Sequence, residues 1–231
     1  TGLSNEDSSG GVCERCGTPV VQKEKEQWML RMSDYAEQLL DGLDDTKFQD
    51  RTKIAQRNWI GKSTGAEVEF KVADTDETLT VFTTRPDTLY GVTFMVVAPE
   101  HPMIETLKDR IQNMDAVRAY QDEARHKSAF ERTELVKDKT GVCLEDYVMM
   151  GYGTGAIMAV PAHDDRDYAF ARKFDIPIIE VIKGGNIEEA AYTGDGEMVN
   201  SGILNGMTNK KDSIAKMIEY LEEKKIGRKK V

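Results

Sequence analysis

Two stretches of this sequence carry more chemistry than a packed fold requires. The first is Val81-Phe82-Thr83-Thr84-Arg85-Pro86-Asp87-Thr88, where an apolar alternation gives way to paired hydroxyls, a guanidinium and a turn fixed by proline. Short donors and acceptors at a strand end suit the grip of a small polar ligand. Turns rich in Thr and Asp also cap their own backbone, so composition leaves both readings open. The second runs Tyr152-Gly153-Thr154-Gly155-Ala156-Ile157-Met158-Ala159-Val160-Pro161-Ala162-His163-Asp164-Asp165-Arg166-Asp167. Its glycines permit close backbone approach, and its end crowds a histidine and three carboxylates into five positions. The Gly-Thr-Gly lacks the spacing of a dinucleotide fingerprint or a phosphate loop. Taken singly, His163 reads as a packed histidine at a strand end, Asp164 and Asp165 as helix caps, and Asp167 as a surface carboxylate pairing with Arg166 or Arg172. Taken together they mark a candidate site.

Such groups need elements to hold them. Ala66, Val68, Phe70 and Val72 alternate with polar residues, and Leu79, Val81 and Thr83 do so after Asp74-Thr75-Asp76, which predicts a hairpin. A third strand is expected over Thr93 to Ala98, then helices from about Met103 to Met114 and from Asp115 to His126. Further strands are expected at Tyr147 to Met150 and Ala156 to Val160, and a helix opening at Asp164 or Asp165, whose carboxylates accept bonds from first-turn amides. Ile178 to Ile182 predicts a buried strand and Asp212 to Glu223 a last helix. Upstream, Trp28, Tyr35, Leu39 and Leu43 recur at helical spacing over Gln27 to Leu43, predicting one amphipathic helix, or two short ones, in need of a surface to pack on. The layout is a disordered lead over 1–11, a linker with a cysteine pair and the amphipathic helix over 12–57, and one domain over 58–231. The fold class is mixed α/β, a curved sheet or β-barrel core flanked by helices.

Bulk properties exclude some functions. A chain of 231 residues, 39% hydrophobic and 31% charged, has room for one sizeable core. No apolar run approaches the roughly 20 residues that span a bilayer, so no membrane partner is expected. A formal net charge of −10 gives phosphates no overall attraction, which argues against tight unaided binding of nucleic acid. The locally basic Lys224-Lys225-Ile226-Gly227-Arg228-Lys229-Lys230 reads as a solvated end, with a phosphate contact as the other reading. Three cysteines do not make a disulfide framework, and Thr1 to Asn5 shows no export pattern, so the expected location is cytoplasmic, an organellar parent being the other option.

The segments Asn58-Trp59-Ile60-Gly61-Lys62-Ser63, Thr83 to Thr88, Tyr152 to Val160 and His163 to Phe170 resemble, in order and wording, the editing insertion of leucyl-tRNA synthetases. The resemblance extends to Gln27-Trp28, Asn200-Ser201-Gly202 and Asn205-Gly206, covering roughly 12–231. Isoleucyl and valyl enzymes share the threonine segment and the final aspartate; the Asn-Trp-Ile-Gly-Lys-Ser run with its upstream helix favours the leucyl member. The signatures of the synthetic domain, His-Ile-Gly-His and Lys-Met-Ser-Lys-Ser, are absent. Departures are a shortened stretch between Val142 and Asp146 and Ala162 in place of a familiar glycine. Cys13-Glu14-Arg15-Cys16 resembles half of a four-cysteine zinc ribbon. Two thiolates do not close a tetrahedral site, so no metal or other cofactor is expected here.

The resemblance implies an ester hydrolase that releases norvaline, isoleucine or methionine from mischarged tRNA(Leu). Its partners would be the 3′ aminoacyl-adenosine of that tRNA and the remaining domains of the parent synthetase. Compounds that trap the terminal ribose as a covalent adduct would be inhibitors. By position, Asp167 would bind the substrate ammonium, and Thr83 and Thr84 would hydrogen-bond near the ester and its attacking water. Tyr152, Met158 and Val160 would line the pocket, His163 would bound it, and Arg85 and Asp164 would support it. Thr88 would bar leucine itself. The other implied reading is a folded insert that binds the tRNA end or small ligands with little hydrolysis of its own.

Overall fold

A computed structural model of the chain describes residues 2–4, 7–21, 26–125, 143–144, 147–148 and 155–231. These form two compact units, Thr1–Gln22 with Gly65–Lys230, and Lys23–Thr64. The division falls at 64/65; the boundary expected at 58 lies inside a helix, and the first 22 residues group with the larger unit. Within that lead, Ser9–Gly11 forms a turn of 3-10 helix and Val12 bridges Pro19.

In the larger unit, β1 (Gly65–Lys71) and β2 (Thr78–Thr83) form the predicted antiparallel hairpin. Val68 faces Val81 and Phe70 faces Leu79, so the period of two puts one face of each strand into the core. A second sheet joins β3 (Phe94–Val97) to β6 (Ala156–Ala159) antiparallel, with β4 (Cys143–Leu144) and β5 (Tyr147–Val148) beyond β3. A two-stranded ribbon, β7 (Ile182–Lys183) with β8 (Glu197–Met198), completes the strands of the middle region. The helices are α3 (Pro102–Thr106), α4 (Met114–Arg125), α5 (Asp165–Lys173) and α6 (Lys210–Lys224). The three sheets are separate and no closed barrel forms among the described residues, so the mixed α/β class stands and the barrel form of it falls away.

The two faces of the β3–β6 pair do different work. Met95, Val97, Ala156, Met158 and Val160 belong to the main core with the hairpin, Leu204, Met217 and Leu221. Val96, Ala159, Phe94 and Ile157 turn the other way and receive Phe170 of α5. Phe170 lies 5.6 Å from Phe94 and 4.4 Å from Phe174, ring centre to ring centre. Burying Phe170 stabilises the unit by about 1.5–3 kcal/mol, with roughly 0.5–1.5 kcal/mol more from each ring pair.

The basic C-terminal run is solvated, as expected, but it is not irregular. Its last four residues, Gly227–Lys230, are β9, paired antiparallel to β1 on the side away from β2. Charge conceals the strand in the sequence: Arg228 and Lys230 both bond Glu67, at 2.7 and 3.4 Å. Two other expectations are cut short. The helix expected over Met103 to Met114 breaks at Leu107 into a 3-10 turn over Lys108–Arg110, and of Ile178 to Ile182 only Ile182 enters a strand.

The smaller unit is a helical pair, α1 (Ala36–Gly42) and α2 (Asp50–Ile60). An ion pair between Arg57 and Asp44 joins α2 to the loop after α1, and Lys62 bonds Glu37 at 2.6 Å. The helix expected from Gln27 starts only at Ala36, preceded by a 3-10 turn over Met32–Tyr35, and Trp28 lies outside it, fully exposed. Gly61, at φ +65°, ends α2 and closes the Asn58 to Ser63 motif.

Candidate active site

The threonine segment starts where the hairpin ends. Gly65 opens β1 beside Ala66, the register partner of Thr83, and a Cβ on Gly65 would stand 2.0 Å from the Thr83 carbonyl oxygen. Only glycine permits that approach. Sequence reasoning passed Gly65 over, although a glycine at the first position of a strand is a legible signal of a crowded backbone. Beyond Thr83 the chain turns into a 3-10 helix, Pro86–Gly91, with proline at its first position.

Thr83, Arg85, Asp87 and Thr88 bond one another within this turn. The Arg85 amide donates to Thr83 Oγ1 at 3.0 Å, and the Thr88 hydroxyl donates to the Arg85 carbonyl at 3.0 Å. The Arg85 guanidinium grips Asp87 in a fork, Nε to Oδ1 and Nη2 to Oδ2 both at 2.9 Å. Asp87 is 1% exposed, so this carboxylate has left water entirely and depends on its arginine. Thr88 is also buried, Thr83 is half-buried and Thr84 is exposed at the rim. Asp87 was seen in the sequence but given no role; the Arg-x-Asp spacing inside a proline turn is the signal for it.

The acidic segment is built differently. Asp164 caps α5, its Oδ1 accepting from the amides of Arg166 and Asp167 at 2.9 and 3.1 Å. Asp167, Phe170, Ala171 and Phe174 recur at helical spacing, so the contact that seats Phe170 on the sheet also turns Asp167 inward. Its Oδ2 accepts from the Val160 amide at 3.0 Å, just past the end of β6. Asp167 is 7% exposed and is not the surface partner of Arg166 or Arg172 that its spacing suggested; Arg166 reaches Asp164 instead.

His163 lies between cap and strand. Its Nδ1 is 2.8 Å from the Tyr192 carbonyl oxygen, and its Nε2 accepts from the amides of Val181 and Ile182, each at 3.0 Å. Burial, with the positive charge of Arg85, pushes its pKa below the ordinary value, although the Tyr192 carbonyl, Glu180 and Asp87 pull the other way.

The fold brings the two segments together. β2 packs against β6, and the buried Gly91 at the end of the proline turn lies against Val160 and Val181. Met158 and Val160 share the β6 face turned to the hairpin. Tyr152 lies outside the described residues, as does most of the shortened stretch after Val142. In the lead, Cys16 Sγ is 3.2 Å from Thr18 Oγ1, and no group of three or more metal-ligating side chains occurs among the described residues.

The family model for the leucyl-tRNA synthetase editing domain matches residues 57–222, which take in both polar segments. The chain belongs to that family. A leucine–tRNA ligase of Alkaliphilus oremlandii (strain OhILAs) is 53% identical over 250 residues, covering all of this chain and 31% of the relative. The aligned span is longer than the chain, so within it the relative carries residues that this editing domain lacks. Among solved structures, the ternary complex of Agrobacterium radiobacter K84 agnB2 LeuRS with tRNA and LeuAMS is similar at a TM-score of 0.69 and 29% identity. That likeness covers 99% of this chain and 28% of the other. The chain thus spans less than a third of the relatives it matches, and that part is the proofreading domain of leucyl-tRNA synthetase.

Proposed function

We propose that this domain hydrolyses the ester joining a noncognate amino acid, such as isoleucine, norvaline or methionine, to the terminal ribose of tRNA(Leu). The observation that supports it best is the aim of Asp167. An inward-facing carboxylate, fixed by the Val160 amide, stands at the end of a strand whose Met158 and Val160 face the hairpin carrying Thr83 and Thr84. In this reading Asp167 receives the α-ammonium of the substrate, a charge-assisted contact. Thr83 and the exposed Thr84 flank the ester and its attacking water, stabilising charge as it develops on the carbonyl oxygen. Water adds to that carbon, the bond to the ribose oxygen breaks, and the ribose oxygen takes the proton. Free amino acid and uncharged tRNA leave. No cofactor enters the reaction.

The reading also accounts for Thr88. A pocket that distinguishes amino acids by one methylene gains only about 1–3 kcal/mol, so a second sieve must exclude the correct product by shape. A tRNA partner accords with the tRNA complex of the structural relative, and the acidity of the chain accords with other parts of a full synthetase holding the tRNA body. The test is release of isoleucine from isoleucyl-tRNA(Leu) by the chain, with Asp167→Ala beside it. Release that the variant abolishes supports the hydrolase; none at high enzyme concentration favours an insert that binds the tRNA end without hydrolysing it.

A further inference from the structure

We infer that His163 is a positioning residue, a neutral clasp that locks the Val160–Asp167 turn onto two remote segments and so fixes the aim of Asp167, rather than a wall or proton carrier of the pocket. The inference rests on the proposed role of Asp167, but its central claim concerns the ring itself. Both ring nitrogens are already engaged by backbone. A carbonyl oxygen such as that of Tyr192 only accepts, so Nδ1 must carry the proton. The amides of Val181 and Ile182 only donate, so Nε2 must be bare. Two successive amides converging on one acceptor form the concavity that elsewhere holds an anion; here the imidazole lone pair fills it. The ring therefore has one tautomer and one charge state compatible with the fold, and no nitrogen left for substrate.

What it holds follows from the same contacts. The His163 amide closes the turn by donating to the Val160 carbonyl at 3.0 Å, and the Ala162 carbonyl accepts from the Tyr192 amide at 2.8 Å. Pro161 and Ala162 are fully buried. Next in the chain is Asp164, the cap of α5, and three positions later Asp167 returns to the Val160 amide. The circuit from Val160 through the clasp and cap to Asp167 is closed at both ends. A ring without its acceptor would leave two buried amides unpaired and loosen the turn. The charged groups that act on the ring are Arg85 and Asp87 from the proline turn and Glu180 before β7; Asp164, next in the chain, turns its carboxylate to α5.

Two measurements on the 231-residue chain test this. Ring nitrogen shifts of His163 are expected to show the Nδ1–H form, with no titration near the ordinary 6.5. An Nε2–H form, or ordinary titration, overturns the clasp whether or not the chain edits. In hydrolysis of isoleucyl-tRNA(Leu), His163→Gln, whose amide oxygen can replace Nε2, should stay within about threefold of wild type. His163→Phe should lose about 100-fold, as misplacement of a contacting group by an ångström does. Equal loss in Gln and Phe overturns the inference. If the phenylalanine chain does not fold, the nitrogen shifts and the glutamine variant decide. Absence of hydrolysis in wild type would instead count against the proposed function and leave the ring measurement standing.

Discussion

The turn from Thr83 to Thr88 is held by side-chain bonds that span two or three residues, whereas His163 ties the turn from Val160 to Asp167 to residues 18 to 29 positions away. The first turn carries its own partners. Its cost of ordering is met locally, and its weak point is the one carboxylate it has hidden from water. The second has local bonds of its own, but its histidine finds partners only in β7 and the Tyr192 segment, so its geometry depends also on distant parts of the unit. In this domain a pair of hydroxyls is presented by a local device, and a single carboxylate is aimed by a global one.

The largest effect that would break this contrast lies in the local turn. Arg85→Ala leaves Asp87 without its cation at 1% exposure and should cost about 3 kcal/mol in urea unfolding. Asp87→Ala should cost less, because Arg85 is 29% exposed and can turn toward water. Equal costs would mean that the pair is not held as the geometry indicates. Thr88→Ala removes one bond to the Arg85 carbonyl, worth about 1 kcal/mol of stability. Its functional effect should be larger than its structural one: new release of leucine from leucyl-tRNA(Leu), above the wild-type rate. No increase would remove Thr88 from the sieve.

The smallest effect sharpens the contrast from the other side. The fold holds His163 neutral with a lowered pKa, while the unfolded chain protonates near 6.5. Below that pH the unfolded state binds more protons, so the stability from the clasp is full above about 6.5 and is lost as the pH falls. The melting temperature should drop on the acid side, and His163→Gln should flatten that limb. His101, half-buried and capping α3 through Nδ1, has a pKa lowered by burial and adds a slope of the same sign, which the glutamine variant leaves in place. An unchanged acid limb in His163→Gln would show that the clasp does not titrate with folding.

How much of this was legible tracks the reach of the forces. The hairpin, the Asp164 cap and the last helix follow from alternation, a capping carboxylate and helical spacing, all set within a few residues. The candidate site was legible as two polar stretches, and the proline turn could be read as a unit because its bonds are short in sequence. The inward aim of Asp167 was not, since a carboxylate at helical spacing looks the same from either face until Phe170 meets Phe94. Strand β9 was hidden because its alternating Arg228 and Lys230 balance on Glu67, a residue 161 positions from Arg228.

The sequence by itself determined the family, the hairpin with its threonine turn, and the chemical types available to the site, because each depends on residue identity and local spacing. Tertiary structure alone decided which groups meet. Among the described residues it set the strands in separate sheets and not a closed barrel, brought a basic tail into a strand, turned Asp167 from surface to interior, and gave His163 three backbone partners. The physical reason is that pairing and burial depend on contacts that local spacing does not encode: a buried polar group such as His163 must find its complement, and that complement lies far along the chain.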